Sequence, residues 1–185
     1  MKHALLAPVF ACLFAAPAIA DGCPSVPDHA TALTDLIAQA RAAQSEAEGR
    51  ALSDRMWQLW TDAPDAHAQG LLDKGMERRE VFDFAGALES FDALVAYCPD
   101  YAEGYNQRAF VHFLREAYET ALPDLARTLD LSPRHVGALS GQALTFHALG
   151  RDAQAALSLR AALELNPWLS ERHLLTHLER LEDAL

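Results

Sequence analysis

Apolar positions along this chain recur at helical spacing. Leu33, Leu36, Ile37 and Ala40 make one stripe, and Leu52, Met56, Leu59, Trp60 and Ala63 make a second. Side chains three and four apart share one face of a helix, so His29 to Thr61 reads as two amphipathic helices. Near the other end, Leu174, Leu178, Leu181 and Leu185 share a face, while Glu171, Arg172, Glu179, Arg180 and Asp183 occupy the rest. Residues 170–185 are therefore predicted to form an amphipathic helix that covers an apolar end face.

The middle of the chain carries a period. Pro99, Pro133 and Pro167 stand 34 residues apart. Ala87, Ala121 and Ala155 keep the same interval, as do Phe91, Leu125 and Leu159, and Gly75, Ala109 and Ala143. Leu71, Tyr105 and Leu139 precede the small residues. Small residues let two helices approach closely, a large apolar residue fills the space between hairpins, and proline closes each unit because it cannot continue a helix. Such a unit leaves a face that only its neighbour can cover, so the units should stack.

These units resemble tetratricopeptide repeats. The first reads LLDKGMERREVFDFAGALESFDALVAYCP and carries Gly75, Ala87, Phe91 and Pro99 at the family's landmark places. The second, YNQRAFVHFLREAYETALPDLARTLDLSP, keeps Tyr105, Ala109, Ala121 and Pro133, and the third, LSGQALTFHALGRDAQAALSLRAALELNP, keeps Ala143, Phe146, Ala155, Ala162 and Pro167. The resemblance implies an all-α, right-handed superhelical solenoid of antiparallel helix hairpins with a C-terminal capping helix. The expected organisation is a leader over 1–20, an N-terminal segment with a divergent helix pair over 21–66, three repeats over 67–169 (68–101, 102–135 and 136–169) and the cap over 170–185. Pro64 falls 35 residues before Pro99, which leaves open whether the helix pair is a decayed fourth repeat. The usual first-helix tryptophan is absent, Thr128 replaces a small apolar residue, and Pro123 should make a slight irregularity in its helix.

The resemblance also implies a concave groove lined by the first helix of each hairpin. The inward sets would be Leu72, Met76 and Arg79, then Asn106, Phe110 and Phe113, then Ser140, Leu144 and His147. An extended segment or a helix of a protein partner would lie there. A lysine and asparagine clamp for a peptide's terminal carboxylate, known in some repeats of this family, is not kept: its places hold Leu72, Met76, Asn106, Gly137 and Gly141. Arg108 and Asp124 fall where a subset of the family pairs an arginine with an aspartate, and they read as a structural ion pair rather than a ligand-binding arginine. Trp57 and Trp60, beside a core stripe, read as packing residues or as a binding platform.

Lys2, the apolar run Ala4–Ala18 and the small residues Ala18 and Ala20 before Asp21 make a secretory signal peptide the expected reading of residues 1–20. A lipoprotein signal ending at Cys23 is the rival, but Ala20-Asp21-Gly22 lacks the apolar residue and carries an acid. Removing that leader from the 185 residues leaves 165, with 14 basic and 26 acidic side chains. An acidic chain without a basic patch argues against nucleic acid as a partner, and no further apolar run is long enough for a stable membrane span. The expected location is the periplasm. Cys12 leaves with the leader, and Cys23 and Cys98 remain as a candidate disulfide, a redox pair or a metal site being the sharper alternatives.

No glycine-rich phosphate loop or nucleophile elbow is present, so no catalytic residue is assigned, no cofactor is expected, and the chain is not expected to be an enzyme. His173 and His177 share a helix face and raise a metal site as an alternative, though two ligands fall short of a zinc set. The leading expectation is an exported scaffold for a protein or peptide partner, with a self-assembling envelope protein as the other alternative.

Overall fold

The structure is a computed structural model that describes residues 22–182, with side chains to 180. Residues 1–21, with the expected leader, and 183–185 fall outside the described residues, as does the side chain of Leu181. Among the described residues there are nine α-helices and no strand: α1 (Ala30–Ala42), α2 (Glu46–Trp60), α3 (Ala66–Glu80), α4 (Phe84–Tyr97), α5 (Ala102–Leu114), α6 (Tyr118–Leu131), α7 (Val136–Ala148), α8 (Asp152–Leu165) and α9 (Arg172–Glu182).

Helices α3–α4, α5–α6 and α7–α8 form the hairpins of a helical solenoid; α4 packs on α5, α6 on α7, and α9 on α8. The small residues do what their spacing predicts. Ala87, Ala121 and Ala155 have no exposed surface. A Cβ on Gly75 would sit 2.4 Å from Phe91 Cε1, so a glycine is what lets the Phe91 ring cross against α3. Phe91, Leu94 and Leu159 are wholly buried, each contributing roughly 1.5–3 kcal/mol of burial free energy.

The turn inside each hairpin repeats in the backbone. Phe82, Glu116 and Gly150 take φ of 62°, 58° and 70°, and each stands 34 residues from the next. In each turn two crossed bonds close the helix, as in Asp83 N–H to Arg78 O and Phe82 N–H to Arg79 O. This is a Schellman cap, in which the left-handed residue is ordinarily glycine. Only the third hairpin supplies one. Pro123 is accommodated in a continuous α6, and Thr128, fully buried, donates to Asp124 O.

The first helix pair does not continue the stack. Instead of packing along α3, the α1–α2 hairpin lies against the connections between successive repeats and reaches α8. Leu36, Ile37, Ala40, Leu52 and Met56 share a core with Val136, Leu165 and Trp168. Polar ties follow the same edge. Arg134 donates to Thr34 Oγ1 at 2.9 Å, Asn166 Nδ2 to Ser53 Oγ at 2.7 Å, and Arg172 to Glu46 Oε2 at 2.9 Å. Tyr101 donates its hydroxyl to Trp60 O at 2.8 Å. By its packing the pair is a strap along the edge of the array. Cys23, before α1, is paired with Cys98 at the end of α4, with Cα atoms 5.1 Å apart.

Gly49 marks where the strap meets the array, because a Cβ there would lie 2.3 Å from Trp168 Cβ, whereas one on Gly70 would meet nothing within 4 Å. Both glycines are inside helices, where alanine gains about 0.5–1 kcal/mol in propensity. Gly70→Ala should therefore raise the midpoint of urea unfolding, and Gly49→Ala should lower it, overpacking costing about 1–3 kcal/mol.

Candidate functional site

A cavity of about 390 Å³ opens between α3, α5 and α7. Arg79 from α3, Asn106, Gln107, Phe110 and Phe113 from α5, and Ser140 and Leu144 from α7 contribute to its wall. Of the expected groove set, the cavity brings together Arg79, Asn106, Phe110, Phe113, Ser140 and Leu144. Phe110 is 44% exposed. Phe113 is half-buried and meets Tyr118 edge-on at 5.4 Å between ring centroids.

Three expected lining residues go elsewhere. Leu72 has 0% exposure and belongs to the core with Ala68, Phe91 and Tyr101. Met76 packs against that same core. His147 lies outside the cavity, with Nδ1 2.7 Å from Asp152 Oδ1 and its ring edge-on to His177. For Leu72 and Met76 the error has one source: α3 is the first hairpin helix and has no repeat before it. Its would-be inner residues pack on α4 and on Tyr101 of the next connection.

Two parts of the site carried no periodic signal. Trp57, on the strap, and Glu171, after α8, both line the cavity. The strap's other tryptophan, Trp60, stacks on His135 with centroids 4.2 Å apart. The pair is therefore divided, one tryptophan in the cavity wall and one in packing.

Behind the cavity sits a buried polar chain. Glu103 is 1% exposed, and its carboxylate accepts from His135 Nε2 at 2.8 Å, Gln107 Nε2 at 2.5 Å and Asn106 Nδ2 at 3.2 Å. His135 caps α7, its Nδ1 accepting the Ala138 N–H at 3.1 Å. A ring nitrogen that accepts carries no proton, so Nε2 must hold it and donate to Glu103. Gln107 in turn accepts from Arg79 through its Oε1. The Arg79 guanidinium lies 5.0 Å over the Phe110 ring centre, and burial pulls its pKa below the ordinary value against the opposing pull of Glu80 and Glu103.

Arg108 and Asp124 are joined by two bonds, Nε to Oδ2 at 2.7 Å and a terminal nitrogen to Oδ1 at 2.6 Å. The remaining nitrogen reaches Asp92 at 2.8 Å. The bonds from Asp124 hold the guanidinium above its ordinary pKa. The arginine ties α4, α5 and α6 together and does not reach the cavity wall. His173 and His177 are exposed on α9, and among the described residues no group of three His, Cys, Asp or Glu side chains is placed to hold a metal.

Comparison with known proteins places this architecture. The first TPR domain of Spaghetti (RPAP3), in a structure with the HSP90 peptide SRMEEVD, aligns with a TM-score of 0.61 at 20% identity, over 63% of this chain and 93% of that one. A TPR repeat-containing protein of Rhizobium etli is 28% identical over 138 residues, 73% of this chain. A tetratricopeptide repeat protein 36 homolog of Nematostella vectensis is 40% identical over 70 residues, 38% of this chain. The chain has the fold of a tetratricopeptide-repeat protein. No protein-family model matches it. The matches span 66% and 38% of the two relatives' own lengths, so less than two thirds of either. Within the tetratricopeptide solenoid, the strap, Trp57 and the buried Glu103–His135 pair are what shape this chain's cavity.

Removing one member of a buried polar pair leaves the other without its partner. His135→Ala should lower unfolding stability by about 3 kcal/mol, through the stranded Glu103 carboxylate and the lost cap. Urea titration followed by circular dichroism measures it, and an unchanged midpoint would count against the pair as a structural junction.

Proposed function

We propose that this protein is an exported scaffold that holds a segment of another protein in the cavity between α3, α5 and α7. The observation that carries this reading is the apolar floor of Phe110, Phe113 and Leu144, left open beside Arg79 and Asn106 in an array whose other large side chains are mostly covered. A concave apolar surface with a few fixed polar groups is what recognition sites are made of. That the first TPR domain of Spaghetti was solved with a bound peptide supports a protein segment as the class of guest. The missing clamp lysine argues against capture of a segment by its terminal carboxylate.

Export rests on the signal-peptide pattern of residues 1–20, which lie outside the described residues, and on the pairing of Cys23 with Cys98. An oxidising compartment would keep that pair bonded, and the periplasm is the compartment we favour. Closing a separation of 75 residues would contribute on the order of 4 kcal/mol by the chain-entropy model. Protein isolated from its native compartment and alkylated without reductant should begin at Asp21 and carry no label on either cysteine. Label on both would remove the disulfide.

Phe110→Ala removes floor area without touching the Glu103 junction. It should weaken capture of the native partner, measured by crosslinking in cells, about tenfold or more, as truncating a central aromatic does, with helicity unchanged. Undiminished capture would sink the groove.

A further inference from the structure

The cavity wall carries two charged side chains, and neither forms a direct ion pair among the described residues. Arg79 comes from α3, the first inner helix, and Glu171 from the connection after α8, the last helix of the repeats. Among the described residues no carboxylate comes within ion-pairing distance of Arg79, whose bond to Gln107 and place over Phe110 leave most of its N–H donors free. Glu171 likewise meets no base among the described residues, although its neighbour Arg172 is paired with Glu46. By contrast Arg108, away from the cavity wall, is bonded to two aspartates, and Glu103, behind it, is met by three donors.

Helix α3 contacts α5, and α5 contacts α7, so Arg79 and Glu171 stand toward opposite ends of the stack with Phe110 and Leu144 between them. Glu80 and Glu103 act on Arg79 only at a distance, so the half-buried guanidinium, without a carboxylate in contact, is stabilised by an arriving anion. At the other end the half-buried Glu171 offers a carboxylate without a base in contact. We propose that the guest is an extended segment of dipolar charge: an acidic side chain at Arg79, apolar side chains over Phe110 and Leu144, and a basic side chain at Glu171. This rests on the reading of the cavity as a protein-binding groove and adds which segments it takes. Polarity would also set the direction in which the segment lies, since the reversed placement puts like charges together at both ends.

Three blocked peptides test it: acetyl-Glu-Glu-Leu-Phe-Lys-Lys-amide, and its uniformly acidic and uniformly basic counterparts with the same Leu-Phe centre. Blocking both ends removes any terminal carboxylate from consideration. Binding is measured by calorimetry at low salt with the mature chain. The dipolar peptide should bind about fivefold or more tighter than either uniform peptide, the scale expected of partly buried pairs. Glu171→Gln should bring the acidic peptide level with the dipolar one, and Arg79→Gln should do the same for the basic peptide. Phe110→Ala should weaken all three alike. Because Arg79 also bonds Gln107, the variant Glu171→Gln carries the test if Arg79→Gln unfolds. Equal binding of all three peptides, still lost in Phe110→Ala, would overturn the polarity and leave the groove standing. A basic peptide that binds tightest and ignores both charge variants would also overturn it, as attraction to the net negative chain. Binding of none would overturn the groove and this inference together.

Discussion

The hydrogen bond between Glu103 and His135 is the point on which the rest of the molecule converges. A carboxylate with almost no contact with water must find its donors inside the protein, and those it finds come from α5 and from the cap of α7. His135 has no freedom in how it answers, because its other nitrogen is committed to the Ala138 N–H. The second and third hairpins are thereby fixed against each other at one polar contact. The strap is seated by the same ring, with Trp60 stacked upon it. On the other side Gln107 spans from Glu103 to Arg79, so the cavity's cation is held by the far end of the junction.

What the sequence could disclose follows the range of the interactions. The hairpins are made by contacts within one period, such as Gly75 against Phe91, and such contacts impose a residue type at a constant interval. They were legible for that reason. The left-handed turns at Phe82, Glu116 and Gly150 keep the interval while the residue type drifts, so geometry persists where composition has stopped announcing it. Phe82 is 80% exposed and takes an angle glycine would favour, at a cost of about 1 kcal/mol. Nothing in the structure explains its retention.

The strap was not legible, and the reason is physical. Its stripes say that α1 and α2 each bury a face but not against what. An apolar stripe is satisfied equally by stacking on α3 or by lying across the inter-repeat connections. The choice is made by contacts distant in sequence, such as Gly49 with Trp168, which no periodic pattern encodes. Leu72 was misplaced by the same gap. An inner-face register borrowed from interior repeats fails at a terminal helix, whose next neighbour is different. Glu103 and His135 were invisible for a further reason: buried polar residues become recognisable only with their partners, and here the partners are 32 residues apart.

The strap alters what the repeats can do. An array of three hairpins alone would present its inner helices as an open trough, with room for a helix laid along it. With α2 against the connections, Trp57 forms part of the wall, and the space becomes a cavity of about 390 Å³. That volume suits a few side chains of an extended segment better than a whole helix. If the cavity holds the proposed guest, recognition and stability draw on the same contacts, since Trp57 is placed by the hairpin that Trp60 anchors on His135. A guest that packs against Trp57 favours the seated strap over any displaced one, and so stabilises the fold in proportion to its affinity. The converse holds by linkage: loosening the junction lowers the fraction of molecules with a complete wall, and lowers apparent affinity by that same fraction without touching the guest.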